Sequence, residues 1–129
     1  KYNLGVKLFV DINTYHDSTS ILSAAIFDPY VSFYHLPIDN KTHCFINMYF
    51  DLCEIERRKL ESELKSSMKD VEQFDKIYHG LETRFQLKNS QYLKEMDRGT
   101  NEPEMKKWND YIYQELGINN VAIFKPFQP

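Results

Sequence analysis

The chain has 129 residues, of which 42% are hydrophobic and 27% are charged, and its formal net charge at pH 7 is −3. A chain of this length forms one domain with a sizeable core, and its composition is that of a globular protein rather than a disordered one. The weak negative charge excludes a general affinity for nucleic acid as a property of composition. The 4 glycines stand singly, so the sequence contains none of the glycine-rich loops that nucleotide-binding enzymes use.

The N-terminal part of the chain predicts an antiparallel sheet of three or four strands. Apolar residues alternate with other residues from Leu4 to Ile12, which is the pattern of a half-buried strand. The apolar stretch Thr19–Phe27 fits a strand or a short helix, and the turn-like residues on both sides of it favour a strand. Tyr30–Leu36 and His43–Phe50 are rich in aromatic and apolar residues, and they predict the third and fourth strands.

A long helix is predicted from Asp51 to about Asp97. An apolar residue recurs at every seventh position, and this stripe consists of Leu64, Val71, Tyr78, Phe85 and Tyr92. Asp51 and Glu54 resemble a capping box at the start of the helix. Polar residues interrupt the second stripe that a coiled coil needs, so the pattern fits a helix packed on its own sheet at least as well as a two-stranded coiled coil.

Gly80 is the weak point of this helix, because a glycine inside a helix costs about 1 kcal/mol relative to alanine. The sequence therefore leaves two forms open, which are one helix with a kink at Gly80 and a helical hairpin of Asp51–His79 and Leu81–Met96. We expect Leu60–Tyr78 to cover the sheet of the domain and the part after Gly80 to reach a partner.

The C-terminal part predicts a shorter helix and a closing strand. Pro103 suits the first turn of a helix, Gly117 is a natural C-terminal cap, and Val121–Phe124 is interpreted as a last short strand. Together the elements predict an α+β fold in which the long helix packs on an N-terminal antiparallel sheet. Residues 1–129 are expected to form a single interaction or assembly domain, and the start at Lys1 and the end at Pro129 indicate a fragment of a longer protein.

Two cysteines, Cys44 and Cys53, are too few for a disulfide framework. We interpret them as buried free thiols of a cytoplasmic or nuclear protein, although a disulfide between them stays open. The glycosylation sequon Asn40-Lys41-Thr42 is a feature that favours secretion instead. No apolar run approaches the roughly 20 residues that span a bilayer, so no transmembrane segment is predicted.

No catalytic residue, cofactor or metal site is assigned from the sequence. The histidines and cysteines lack the closely spaced pairs from which structural zinc sites are built. Cys53 near the predicted start of the helix would have a lowered pKa, and with a histidine as base it would form a minimal nucleophilic pair. The histidines considered for this role are His35, His43 and His79. Nothing in the sequence brings them to Cys53, so a small enzyme remains an alternative without a defined site.

A basic cluster on the predicted helix offers a second alternative, which is a peripheral module for phosphoinositides or nucleic acid. The cluster consists of Arg57, Arg58, Lys59, Lys65 and Lys69. Glutamates interrupt it, which is typical of a helix surface with many salt bridges. The segment 49–52 (Tyr-Phe-Asp-Leu) resembles the sheet–helix junction of the phosphoinositide-binding PX domain. Asn47 and Met48 stand where that family has a basic residue, and no proline-rich loop follows, so we assign no family.

The expected function is that of a non-catalytic protein–protein interaction or oligomerisation domain, a scaffold element of a larger intracellular assembly. The apolar stripe and the many aromatic residues support this expectation, because such residues are enriched in protein interfaces. The expected partner is a protein, bound as a homodimer or a stable hetero-complex through the long helix. The candidate interface consists of Leu81, Phe85, Tyr92, Tyr111 and Tyr113.

Overall fold

A computed structural model describes residues 2–35, 38–67 and 72–128 of the chain. Its strands are β1 (Tyr2–Asn3), β2 (Val6–Tyr15), β3 (Ser18–Phe27) and β4 (Phe33–Tyr34). Its helices are α1 (Asn40–Ser66), α2 (Gln73–Met96), α3 (Glu102–Leu116) and α4 (Asn120–Phe124), with a 3₁₀ turn at Asp97–Gly99. These elements confirm the predicted α+β class.

The first two predicted strands are confirmed, and they form a long antiparallel hairpin. Val6 lies opposite Phe27 at its open end, and Tyr15 lies opposite Ser18 at its closed end. A two-residue turn joins the strands, and its first residue, His16, has a φ of 54°. Such short turns suit the right-handed twist of paired strands. The inner face of the hairpin packs on the helices.

The predicted third strand is shorter than expected and has a different partner. Within the described residues only Phe33–Tyr34 of this stretch is a strand, and it pairs with β1 rather than with the hairpin. Asp28 bends the chain before it, because its Oδ1 accepts a hydrogen bond from the Tyr30 amide at 3.0 Å and its carbonyl accepts one from the Ser32 amide. Leu36, the last residue of the prediction, lies outside the described residues.

The prediction of a fourth strand at His43–Phe50 is wrong, because these residues form the first turns of α1. Asp39 caps this helix, and its carboxylate accepts a hydrogen bond from the Thr42 amide at 2.9 Å. The predicted capping box at Asp51 is therefore wrong as well, since Asp51 lies in the middle of α1 and is buried. The segment that resembled a PX junction is also inside this helix.

The predicted long helix is a helical hairpin, but the chain does not turn back at Gly80. α1 ends at Ser66, α2 begins at Gln73, and Gly80 lies on the exposed side of the uninterrupted α2. The two helices run antiparallel, because Arg84 of α2 contacts Glu63 of α1 at 3.2 Å and Tyr92 further along α2 contacts the earlier residue Phe45. An exposed glycine weakens a helix without forcing a turn. Val71 of the predicted stripe lies outside the described residues.

The C-terminal helix is confirmed, whereas the closing strand is wrong. α3 ends at Leu116, and the next residue, Gly117, has a φ of 73° and is the left-handed cap that was predicted. Val121–Phe124 belongs to the short helix α4, because the side chain of Asn119 caps it and accepts a hydrogen bond from the Ala122 amide at 3.0 Å.

The hydrophobic core consists of two clusters of buried side chains. The first part joins α1, α2 and α3 around Phe45, Tyr92 and Trp108. The second part lies under the closed half of the hairpin and contains Leu60, Leu64, Phe74 and Leu81. The inner side chains of β2 that pack on this second part are only partly buried.

A buried polar chain fastens α4 to α1. Asn47 Nδ2 donates to Asn120 Oδ1 at 2.6 Å, and Asn120 Nδ2 donates to Asp51 Oδ2 at 2.7 Å. Burial raises the pKa of Asp51, and the hydrogen bond from Asn120 offsets this only in part. Ionised Asp51 is therefore a destabilising charge at neutral pH.

We expect Asp51→Asn to stabilise the domain at pH 7, with an increase in melting temperature of about 4 °C, or about 1 kcal/mol. The folded-state pKa is raised, so the folded state holds the proton more tightly and its stability falls as pH rises from the ordinary value of 3.8 through the folded value. The gain of the variant should therefore disappear as pH is lowered through this window. Thermal unfolding followed by circular dichroism measures it, with the exposed Asp110→Asn as control.

Two glycines give opposite expected effects. A Cβ at Gly99 would lie 2.6 Å from the Lys41 carbonyl oxygen, and Gly99 has a φ of 90°, whereas a Cβ at Gly80 meets nothing within 4 Å. We expect Gly99→Ala to lower the free energy of unfolding by about 2 kcal/mol or more. Gly80→Ala should raise it by up to about 1 kcal/mol. Urea unfolding of both variants provides the measurement, and equal effects would contradict the described packing at Gly99.

Candidate interaction surface

The structure places three of the five predicted interface residues in the core. Leu81, Phe85 and Tyr92 are buried between the helices of the chain itself. The prediction that these residues lie on one apolar face of a helix is correct, but this face packs against α1 and the hairpin of the same domain. These three residues are therefore corrected from a partner interface to internal packing.

The two tyrosines of the prediction lie on α3 and face different surroundings. Tyr111 is half-buried, and its hydroxyl accepts hydrogen bonds from Lys88 Nζ at 2.8 Å and Lys59 Nζ at 3.2 Å. Lys88 Nζ also lies 4.6 Å from the centre of the Tyr111 ring. Tyr113 is exposed. Tyr111 is thus engaged within the chain, and Tyr113 lies away from the three buried residues.

The basic cluster is largely neutralised by neighbouring carboxylates. Arg57 Nε lies 2.6 Å from Glu54 Oε1, and Arg58 Nε lies 2.9 Å from Glu54 Oε2. The hydrogen bond from Arg57 lowers the pKa of Glu54. Lys65 pairs with Glu61 at 3.8 Å, and Lys69 lies outside the described residues. These contacts match the interpretation of a helix surface with many salt bridges.

Both cysteines are free and buried inside α1. This arrangement confirms the interpretation as free thiols, and the alternative of a disulfide between them is wrong. Cys53 is not near a helix start, and burial raises its pKa, so the prediction of a lowered pKa is wrong. Burial likewise raises the pKa of Cys44 to about 12. The three histidines that were considered as bases are exposed.

The described part of the chain contains neither a cluster of metal-binding side chains nor a helix suited to a membrane. Among residues 2–35, 38–67 and 72–128, no group of three or more His, Cys, Asp or Glu side chains is arranged to hold a metal ion. No helix within these ranges combines the length and apolar character needed to cross a membrane.

The outer face of the β2–β3 hairpin carries an apolar patch that the sequence analysis did not identify. Phe9, Leu22 and Ile26 are 52%, 64% and 49% exposed. Phe9 lies opposite Ala24, which is flanked on β3 by Leu22 and Ile26, so the four side chains are neighbours on one face. Contiguous apolar surface of this kind is typical of an interaction site. Most other exposed large apolar side chains follow nearby in the chain, and they are Tyr15, Tyr30, Val31, Phe33 and Ile38.

The outer edge of β2 has no strand partner among the described residues. Because the turn has two residues, Tyr15 and Ser18 form the hydrogen-bonded pair that closes the hairpin, and such pairs alternate along the ladder. The backbone groups of Leu8, Val10 and Ile12 therefore point to the open edge. Strands with open edges usually carry prolines, bulges or several charges that prevent pairing. The register of β2 is continuous and its sequence has no proline, and two charged side chains, Lys7 and Asp11, lie on its outer face.

The two edges of the hairpin have different neighbours. The edge of β3 lies beside charged side chains of α1, where Arg57 donates a hydrogen bond to Ser23 Oγ at 2.9 Å and pairs with Glu54 and Glu61. The edge of β2 lies beside the apolar side of α2, where Tyr78 is partly exposed and the buried Phe74 and Leu81 form the floor of the depressions. An added strand would meet charge at β3 and apolar surface at β2, so the β2 edge is the better docking position.

A groove between β2 and α2, which we call the β2–α2 groove, contains two depressions of about 310 and 360 Å³. The first lies between Val6 and Leu8 on one side and Leu81 and Phe85 on the other. The second is lined by Leu8, Val10, Ile12, Leu64 and Phe74, and Tyr78 borders both depressions. Side chains on the same face of a strand lie about 7 Å apart. A strand placed beside β2 could therefore direct one side chain into each depression.

The rim of the β2–α2 groove is acidic on its helix side. Glu82 borders the first depression and Asp75 borders the second. Neither carboxylate has an ion-pair partner among the described residues. Burial raises the pKa of Tyr78, and the nearby charge of Glu82 raises it further. The groove therefore combines an apolar floor, an open backbone edge and two carboxylates without an ion-pair partner among the described residues. Glu82 is hydrogen-bonded to Tyr78, and Lys7, which pairs with Asp28, lies on the strand side of the first depression.

Comparisons with known proteins do not assign this surface a role. No protein-family model, no curated protein and no solved structure matches the chain. The sequence carried one signal for the surface, which is that Phe9 occupies the polar phase of an otherwise alternating strand. Leu22 and Ile26 carried no such signal, because apolar residues occupy both alternating faces of β3.

We expect both thiols to be unreactive in the native protein. A thiolate must form and become accessible before it attacks a reagent, and both cysteines are buried with raised pKa values. Reaction with Ellman's reagent at pH 8 should be at least about 100-fold slower in the folded than in the unfolded protein, because it requires opening of α1. The same protein in urea is the control, and fast reaction in the folded state would contradict the burial.

Proposed function

We propose that the chain is a non-catalytic protein-interaction domain of a larger assembly and that the hairpin forms its interface. The observation that supports this most directly is the exposed apolar outer face of β2 and β3 next to a strand edge that is open among the described residues. Such features promote association of protein chains. The proposal keeps the function expected from the sequence but moves the interface from the long helix to the hairpin.

The arrangement of the thiols supports the cytoplasm or the nucleus as the location of the domain. Cys44 and Cys53 are both free, and structural cysteines of secreted domains are usually paired. The phosphoinositide or nucleic-acid alternative has less support, because Arg57, Arg58 and Lys65 have carboxylate partners. A binding site for phosphate needs cations that are free to meet it.

A photo-crosslinking experiment tests the proposed interface. The photoreactive residue p-benzoylphenylalanine replaces Phe9 on the hairpin in one variant, and it replaces Leu87 or Ile123 on the helices in the control variants. All three positions are well exposed, at 52%, 70% and 63%. Irradiation of cells that produce the protein should give a discrete protein adduct from position 9, because that side chain lies within the interface.

The controls should give no adduct of the same mass, since they lie away from the hairpin. A discrete adduct from position 87 or 123 but not from position 9 would contradict the proposal. Purified protein carries the complementary measurement, in which light scattering over a range of concentrations determines whether the adduct partner is a second copy.

A further inference from the structure

The helix pair is wider than the sheet that covers it. Two packed helices lie about 8–10 Å apart, whereas neighbouring strands lie only about 4.8 Å apart. β3 lies over α1, and β2 follows on the side of α2. Among the described residues, no strand occupies the position beyond β2 and over α2. The β2–α2 groove is this position.

The backbone at the edge of the groove is arranged to receive a strand. The amide and carbonyl groups of Leu8, Val10 and Ile12 point into the groove, because these residues do not form hydrogen bonds with β3. Residues that pair across two strands have their side chains on the same face. The residues of an added strand that pair with Leu8 and Val10 would therefore direct their side chains towards α2 and into the two depressions.

We propose that the β2–α2 groove binds an extended segment of a partner protein, which adds to β2 as a third strand. The segment has alternating apolar side chains that fill the two depressions and a basic side chain that meets Glu82 or Asp75 on the rim. This inference depends on the proposed function, since it names the kind of partner that the interaction domain recognises. Strand addition is an established mode of peptide recognition, in which the backbone supplies affinity and the pockets supply specificity.

Geometry and buried area favour a peptide over a second copy of the chain. Antiparallel pairing of β2 with the β2 of a second copy brings both helix layers to the same side of the joint sheet. The second α2 would then occupy the space in which the first α2 already lies, beyond the edge of β2. Contact through the outer faces of two hairpins alone would bury roughly 300–400 Å² on each copy, which is less than the roughly 800 Å² of a stable interface.

The test begins with a displayed library of random linear peptides selected on the immobilised domain. Selected peptides should show alternating apolar residues and an enriched lysine or arginine. A synthetic peptide of the selected sequence is then titrated by fluorescence anisotropy. Hydrogen exchange measured with and without this peptide should show protection of the amides of Leu8, Val10 and Ile12.

Two proline variants on the same rung of the hairpin separate its two edges. Val10 lies opposite Ser23, and the amide of each points away from the other strand. Val10→Pro removes a donor that the free domain does not use, and binding should weaken at least about 10-fold because a ladder hydrogen bond is lost. Ser23→Pro is the control on the other edge. It also removes the hydroxyl that accepts a hydrogen bond from Arg57, but neither group faces the groove, so the affinity should stay within about 2-fold. Circular dichroism and thermal unfolding establish that both variants are folded.

Glu82→Lys tests the same groove without a change in the backbone. Selection on this variant should shift the enriched charge of the peptides from basic to acidic, because the sign at the rim is reversed. Equal binding by the Val10→Pro and parent domains, together with an unchanged charge preference after Glu82→Lys, would overturn the inference. Self-association that Val10→Pro abolishes would overturn it as well, because the occupant would then be a second copy.

The outcomes also separate this inference from the proposed function. If the adduct from position 9 persists in the Val10→Pro variant while no peptide binds the groove, the hairpin is an interface and strand addition is wrong. If the adduct is missing and no peptide binds, both proposals are wrong. If the peptide protects the β2 amides and the adduct is lost in Val10→Pro, both are supported.

Discussion

The antiparallel packing of α1 on α2 around Tyr92 is the interaction on which the rest of the structure depends. The Tyr92 ring lies 5.5 Å from that of Phe45 and 5.4 Å from that of Trp108, so it joins three helices in one contact. Its hydroxyl donates to the Phe45 carbonyl at 2.5 Å, which satisfies the polar atom in the core. This rigid helix layer offers a surface that is wider than a two-stranded sheet, and the exposed edge of β2 follows from that difference in width.

The sequence predicted those elements in which one hydrophobic period is clearly present. β2 alternates strictly and α3 has helical spacing between a proline and a glycine, and both are as expected. His43–Phe50 is apolar at almost every position, so it satisfies the period of a strand and that of a helix equally well. The decision between them came from Asp39, whose cap begins α1. Val121–Phe124 is too short to show any period, and Asn119 again decides in favour of a helix.

The candidate interface was harder to predict than the fold, because it depends on which faces remain uncovered. Leu81, Phe85 and Tyr92 form a regular stripe, and the same stripe would be expected for internal packing or for a partner. The direction in which α2 turns back decided that they are internal. Phe9 and Leu22 are exposed because no element of the described residues covers the outer side of the hairpin, and a single sequence does not reveal which faces stay uncovered.

The open edge of β2 also makes the behaviour of the chain depend on its abundance. In this ten-residue, proline-free strand the backbone groups of alternate residues are open to an extended segment nearby. At low concentration such encounters are rare, whereas at high concentration extended segments of partly unfolded chains reach the edge more often. If the groove binds a partner segment as proposed, chain made in excess of that partner would be lost to aggregation and proteolysis, so the two would accumulate in similar amounts.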